Sequence, residues 1–329
     1  MNTEIIRPRS SEKGWADAVK LVLDRGDPVA LPTETVYGLA ANALDTNAVA
    51  RIFEAKERPR FDPLIVHLPN RDWLEKVADL PAQDRQLILK LIDRFWPGPF
   101  TIVLPKREIV PDFVTAGLET VAVRMSAHPV FNEIICAFGK PLAAPSANRF
   151  GHISPTTASH VMSELDGRIP LVVDGGPTPH GIESTIVALE NGRIDILRQG
   201  PITTEELSDF GRIDIASSPE KISAPGQMRS HYAPKTALRL IDDAISFAPT
   251  AGQRVGLLAW NGVTIDNRFA AIRRLSERSD LREAAANLFR YLRELDDANV
   301  DLIVAERVPE TGLGAAIMDR LQRAAQRES

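Results

Sequence analysis

Cysteine is almost absent. Cys136 is the single cysteine in 329 residues, so no intramolecular disulfide forms and a zinc cage built on several thiolates is excluded. A reducing compartment fits this usage, and the expectation is a cytoplasmic protein. No apolar run reaches the roughly 18 residues that a membrane-crossing helix needs. The first residues, MNTEIIRPRSSEKGWADAVK, are charged and amphipathic where a secretory leader requires an apolar core, so no membrane association is expected. A surplus of positive charge is also missing. Lys plus Arg total 39 against 44 Asp plus Glu, and a split after Glu205 leaves 22 against 26 and then 17 against 18. Neither part is the basic domain of a dedicated nucleic-acid binder. The chain lacks G-x-x-x-x-G-K-[ST], H-E-x-x-H and G-x-S-x-G, and Gly312-Leu-Gly314 lacks the third glycine of a dinucleotide loop. A nucleotide handled by this protein needs a different cradle.

What is present is an ordinary globular composition, 44% hydrophobic and 25% charged, with length enough for two domains. Ser10 or Ser11 can cap a helix carrying Trp15, Ala18, Val19, Val22 and Leu23, with Gly26 just past its end. Pro28–Pro32 reads as a buried strand, and Thr46 opens a helix that Pro59 stops. Strand-like runs recur at 64–68, 101–104, 121–123, 142–144, 171–173, 185–189 and 194–197, with helical patterns near 70–94, 129–138 and 156–165. This alternation predicts a large mixed α/β sheet. From about Gly211 to Pro234, serine, proline and glycine break every period, which marks a linker. Beyond it, TALRLI, RVGLLAW and DLIVAE read as strands and 280–297 as an amphipathic helix, predicting a smaller Rossmann-like α/β domain. The expected organisation is 1–205, a linker over 206–235, and 236–329.

Several segments carry polar groups at suggestive spacing. In Pro32-Thr-Glu-Thr-Val-Tyr-Gly-Leu39 an extended chain would put Thr33, Thr35 and Tyr37 on one side, opposite Glu34 and Val36. The alternative is a turn whose hydroxyls satisfy local backbone groups. Lys56, Arg58 and Arg60 crowd cations at a helix end, either to complement the helix dipole or to bind phosphate. His67 lies near the end of the run LIVHL, as a hydrogen-bonded edge residue or a functional imidazole. Ser146 and Asn148 in Ala144-Pro-Ser-Ala-Asn148 can face one ligand or simply make a turn. Arg124 and Arg198 each end an apolar strand, where a half-buried guanidinium needs an anion from the protein or from a ligand. The glycine-rich run 174–185 suits a tight turn or close approach of a ligand. Arg229, His231 and Tyr232 give the linker more chemistry than a passive tether carries.

Taken together, PTETVYGLAANAL, KERPRFDPLIVH, FWPGPFTIVL, APSANRFGHISPTT, DGG with GIESTIV, ILRQG, SHYAP and the terminal GLGAAIMDRLQRAA resemble the YrdC-type threonylcarbamoyl-AMP synthases in their long, two-domain form. The resemblance implies a twisted mixed sheet with a concave active face followed by the smaller domain. It also implies a reaction: L-threonine, bicarbonate or CO2, and ATP give L-threonylcarbamoyl-adenylate and pyrophosphate, and a tRNA threonylcarbamoyl transferase consumes the product. By motif position, Lys56, Arg58, Ser146 and Asn148 correspond to the KxR and SxN groups around the phosphates. Asp62, Thr156, Arg198 and Tyr232 would complete the ATP site, Tyr232 reaching it from a linker that acts as a lid. Thr35, His67, Arg124, Ser146 and Ser184 would hold threonine. Asp62 replaces a common Asn of the family, adding a negative charge near a polyanion, and Ser126 stands where proline is common.

The implied chemistry needs alignment and charge neutralisation rather than a covalent intermediate. Mg2+ is expected to arrive with the ATP phosphates, and no dedicated protein metal site is expected. The competing readings are a non-catalytic RNA or nucleotide-binding module, which overall acidity disfavours, and a carbamoyl-transfer module, which would need further domains. A weak tRNA contact is compatible with the implied reaction.

Overall fold

The computed structural model describes residues 2–8, 14–215, 231–262 and 268–326. The chain divides into two compact units. The first comprises Met1–Phe150, Pro155–Thr178 and Glu183–Gln227, and the second Gly151–Ser154, Pro179–Ile182 and Met228–Ser329.

The first unit opens with β1 (Glu4–Ile6), α1 (Trp15–Asp24) and β2 (Val29–Leu31). The expected serine cap of α1 lies outside the described residues, and Gly14 occupies the N-cap. A turn leads to β3 (Gly38–Asn42) and α2 (Thr46–Lys56). Asp45 starts α2 by accepting bonds from Asn47 N and Ala48 N, and Glu57, at φ 54°, ends it. Then come β4 (Ile65–His67), α3 (Leu74–Val77), α4 (Arg85–Phe95), β5 (Phe100–Pro105), α5 (Asp112–Thr115) and β6 (Thr120–Arg124). Next are α6 (Pro129–Phe138), β7 (Leu142–Ala143), α7 (Ala158–Leu165) and β8 (Leu171–Val173). The unit closes with β9 (Thr185–Glu190), β10 (Arg193–Arg198), α8 (Thr204–Ser208) and β11 (Arg212–Ile215).

These strands form one mixed sheet in the order β1-β8-β2-β3-β7-β4-β6-β5-β9-β10-β11. Its register sets the site. Arg198 pairs with Ile186, Ile186 with Thr101, Thr101 with Arg124, and Arg124 with His67. Residues paired across neighbouring strands share a face, so this row puts four polar side chains on one side of the sheet. Ile186, within the row, forms a small buried cluster with Ile65, Val103 and Ala122 on the same face. The opposite face, through Val66, Ile102, Leu104 and Val123, joins the large core with Ile52 and Phe53 of α2 and Ile88 and Leu91 of α4. On the row's own face, Leu142 pairs with His67 and lies in a core with Val19 and Leu23 of α1 and Phe131, Ile134 and Ile135 of α6. The apolar cover therefore ends at His67, and polar groups take over beyond it.

The second unit holds β12 (Ala237–Ile241), β13 (Val255–Ala259), β14 (Ala271–Arg274), α9 (Leu281–Asp296), β15 (Leu302–Glu306) and α10 (Leu313–Ala325). Its strands pair in parallel in the order β12-β15-β13-β14. This is the layered α/β arrangement expected of the smaller domain. The helix α9 buries Ala285, Leu288, Phe289, Leu292 and Leu295 along one stripe.

The strands β1, β3, β11 and β14 are additions to the sequence reading, being three to five residues long or adjoining a turn-rich stretch. Within the stretch read as linker, Arg212–Ile215 pairs in parallel with β10, and residues 216–230, including Arg229, lie outside the described residues.

Candidate active site

The cations of KERPR diverge at the end of α2. Lys56 is 1% exposed, and its Nζ donates to the main-chain carbonyls of Ser146 and Asn148. Burial and the neighbouring Arg58 push its ammonium well below the ordinary lysine range, against the attraction of Asp62 and Glu164. Arg58, also buried, donates to Asp62 O at 3.3 Å and Pro63 O at 2.9 Å, and pairs with Asp62 Oδ2 at 2.8 Å. Asp62 is raised by burial, although Arg58, Lys56 and Arg198 all pull it down, and its Oδ1 is buried with no hydrogen-bond partner. Arg60 points elsewhere, its guanidinium lying over the Phe113 ring at 5.2 Å. Of the three cations in this motif, two are buried together with Asp62.

Ser146 is half-buried and bridges to Gly38, while Asn148 is buried and donates through Nδ2 to Arg149 O at 2.7 Å. The Lys56 side chain thus pins the serine–asparagine loop by its backbone. Thr156, beside the N-terminus of α7, contacts His160 Nδ1 through both N and Oγ1 at 3.3 Å.

The second centre is built around Arg124. Its Nε donates to Gly98 O at 3.1 Å, its Nη1 to Thr35 Oγ1 at 3.2 Å, and its Nη2 pairs with Glu34 Oε1 at 2.7 Å. The protein itself therefore supplies the anion that this arginine requires. The 32–37 segment is a turn rather than an extended ladder: Thr33 Oγ1 donates to Val36 O at 2.6 Å and accepts from the amides of Thr35 and Val36. Of the two readings of this segment the turn holds, and Thr35 and Glu34 both converge on Arg124. Tyr37 leaves this group altogether and donates to Gly176 O at 2.7 Å. Burial raises the Glu34 carboxyl, but Arg124 and the Ser126 hydroxyl outweigh it and bring it down to about 2. Burial and the positive charge of Arg124 hold His67 at about 3, although Glu34 opposes them, so the imidazole is neutral. Its ring lies 4.7 Å from that of Phe131, and its Nδ1 is buried with no hydrogen-bond partner.

Arg198 connects the two centres. It donates to Ser184 O and Ser184 Oγ, both at 3.0 Å, and Ser184 Oγ meets Thr101 Oγ1 at 2.8 Å. Thr101 is the register partner of Arg124, while the charge of Arg198 is felt at Asp62. Gly200 allows the chain to pass here, because a Cβ on it would stand 2.5 Å from Thr185 N and 2.6 Å from Glu183 O. Tyr232 belongs to the second unit, where its ring stacks on Phe289 at 5.3 Å and under the Arg320 guanidinium at 5.5 Å. The first unit thus gathers Lys56, Arg58, Asp62 and Arg198 on one side and Thr35, His67, Arg124 and Ser184 on the other. Chemically, this presents two groups of buried cations, one paired with Asp62 and one with Glu34, and a neutral imidazole.

The Sua5/YciO/YrdC family model, described as telomere recombination, matches residues 21–200, and the threonylcarbamoyl-AMP synthase C-terminal domain model matches 202–326. The chain belongs to the Sua5/YciO/YrdC family. A threonylcarbamoyl-AMP synthase of Pyrococcus abyssi is 41% identical, over 98% of this chain and 97% of the relative. That of Bacillus subtilis is 42% identical, over 92% of this chain and 91% of the relative. The crystal structure of P. abyssi Sua5 complexed with L-threonine matches with a TM-score of 0.89 at 39% identity, covering 98% of each chain.

Sequence reasoning in this Sua5-type chain missed Glu34, Ser126 and Thr101 as parts of the site. The signal for Glu34 was an acidic residue inside a hydroxyl-rich turn, and for Thr101 a hydroxyl beginning an otherwise apolar strand. Among the described residues, no group of three or more His, Cys, Asp or Glu side chains is arranged to hold a metal ion, and no helix is long and apolar enough to cross a membrane.

Proposed function

We propose that this chain is a transferase that makes L-threonylcarbamoyl-AMP from L-threonine, bicarbonate-derived CO2 and ATP, releasing pyrophosphate, as the first step of threonylcarbamoyladenosine modification of tRNA. The observation that carries this reading is the line of buried groups from Lys56, Arg58 and Asp62 through Arg198, Ser184 and Thr101 to Arg124, because it joins a polyphosphate-type cradle to a carboxylate-type one.

In this reading the threonine carboxylate sits at Arg124 and Thr35, and its hydroxyl meets His67. Ser146 and Ser184 line the space between threonine and nucleotide. Lys56, Arg58, Asn148, Thr156 and Arg198 surround ATP, and Asp62 sets the charge of that cradle. The threonine nitrogen forms a bond to the carbon of CO2 and loses a proton, giving a carbamate. A carbamate oxygen then bonds to the α-phosphorus as its bond to the bridging oxygen breaks, and pyrophosphate leaves with that electron pair. The protein aligns three reactants, neutralises phosphate charge with Lys56, Arg58 and Arg198, and shields a labile carbamate from water. Mg2+ fits this site as an ion carried by ATP phosphates and water, since Asp62 is the carboxylate in the cradle and cations already surround it. The product passes to a tRNA threonylcarbamoyl transferase, and the cytoplasm is the compartment that suits this sequence of steps.

The test is pyrophosphate release from ATP and bicarbonate, with and without L-threonine, together with mass detection of the adenylate. Threonine-dependent release with that product is expected, and loss of it in Lys56→Ala and Arg58→Ala would locate the phosphate cradle. ATP binding with no threonine-dependent release, assayed with the transferase present, would reject the reaction in favour of a nucleotide-binding module.

A further inference from the structure

The Arg124 guanidinium is held by three groups from two separate parts of the first unit, the chain at Gly98 and the turn that carries Glu34 and Thr35. Gly98 O takes Nε, Thr35 Oγ1 takes Nη1, and Glu34 Oε1 stands 2.7 Å from Nη2. Nε and Nη1 thus donate one hydrogen bond each and Nη2 faces Glu34 as an ion pair, which leaves further N–H groups of the guanidinium for a planar anion such as a carboxylate. Glu34 is fixed in turn. It is 5% exposed, its Oε2 accepts from Ser126 Oγ, and Ser126 Oγ itself accepts from His128 N at 3.2 Å. Thr33 closes the turn that carries Glu34 and Thr35, so both approach Arg124 from one rigid loop.

We infer that Glu34 is a positioning residue, which holds Arg124 in the orientation that receives the carboxylate of the amino-acid substrate and, through Arg124, governs selection at the side-chain end of that substrate. This rests on the reading of the Arg124 centre as the threonine site. The paired charges of Glu34 and Arg124 largely cancel, so what Arg124 offers a ligand is directed N–H donors more than net charge. Specificity then depends on where those donors point, because a carboxylate held a fraction of an ångström out of place displaces the substrate hydroxyl from His67. With its pKa depressed to about 2, Glu34 is a poor proton acceptor at neutral pH, in keeping with a role in positioning.

The experiment is calorimetric titration of L-threonine into the full-length wild type, Glu34→Gln and Ser126→Ala, with steady-state kinetics of the same proteins on threonine and serine. In Glu34→Gln the threonine Kd and KM should rise by about tenfold or more, the scale on which outer partners of a binding group act. The KM for ATP should stay within about twofold and kcat at saturating threonine within about threefold, and the preference for threonine over serine should narrow. Ser126→Ala, which frees one Glu34 oxygen, should move the same quantities less far. A folded Glu34→Gln with unchanged threonine affinity, or with threonine and ATP affinities lost together, would overturn the inference. If Glu34→Gln does not fold, Ser126→Ala decides by the same readouts. Wild type that binds threonine but releases no pyrophosphate sinks the proposed reaction and leaves the positioning role standing, whereas wild type that binds no threonine sinks the positioning role.

Discussion

His67 and Arg124 stand opposite one another in the parallel pairing of β4 and β6, so an imidazole and a guanidinium emerge side by side on one face of the sheet. The juxtaposition adds to burial in keeping the imidazole neutral. A cation beside a buried imidazole disfavours a second positive charge, and Glu34 supplies the single negative charge that Arg124 needs. The result is a neutral histidine beside an ion pair.

Acid should destabilise the fold through these same residues. His67 falls from 6.5 to about 3 on folding, so across that window the unfolded chain binds a proton that the folded chain does not, and stability declines as pH drops below 6.5. Glu34, lowered from 4.5 to about 2, contributes stability that is full above 4.5 and lost as pH falls toward 2. Each such group adds at most about 1.4 kcal/mol per pH unit within its window. Urea titrations at successive pH values from 7 down to 5 should show the decline, and His67→Gln should flatten much of it. His128, also lowered by burial, would supply the remainder. Equal pH slopes in wild type and His67→Gln would refute the assignment.

Much of the candidate site was legible in short motifs, and the reason is local. Lys56 and Arg58 sit where a helix must stop, so proline and clustered cations announce them. Arg124 and Arg198 end apolar strands, and a buried strand end marks an arginine as paired. What could not be read was registration. That Arg198, Ile186, Thr101, Arg124 and His67 fall in one row depends on four strand pairings whose alignment no local pattern sets. Glu34 went unread for a different reason: the hydroxyls of this segment announce a turn, but a turn carries no regular alternation of side chains, so no local pattern says which of its residues meets Arg124. The strand β3 was hidden because Gly38–Asn42 contains glycine, alanine and asparagine, weak strand formers that are kept there by antiparallel pairing with β2 and β7.

A buried imidazole nitrogen without a partner is a strong discriminator against an isostere lacking the hydroxyl. His67 Nδ1 is such an atom. Valine should therefore react with kcat/KM lower than threonine by about 10⁴, the range found for sites built to hydrogen-bond a hydroxyl, and serine should be separated by no more than about 10–200-fold, the worth of one methyl group. His67→Phe should compress the threonine-to-valine ratio toward that of a methyl-sized difference. Competition kinetics with the three amino acids measure these ratios directly, and comparable turnover of valine by the wild type would remove His67 from hydroxyl recognition.

In the proposed reading, Asp62 competes with phosphate for Arg58. Its carboxylate lies 2.8 Å from Arg58 Nη2, and it also feels the charges of Lys56 and Arg198. A nucleotide must share or displace that pair before Arg58 can offer its fork. Replacement by asparagine keeps the shape and removes the charge, leaving three cations less neutralised and better able to attract a polyanion. Asp62→Asn should therefore bind ATP about threefold to tenfold more tightly, equivalent to roughly 0.7–1.4 kcal/mol, with threonine affinity little changed. The same change leaves buried cations without their anion, so the free protein should lose stability, while saturating ATP should restore it more effectively than in the wild type. Nucleotide titration and thermal unfolding, each with and without ATP, test both halves. Weaker ATP binding by Asp62→Asn would mean that this carboxylate orients Arg58 for the phosphates instead of competing with them.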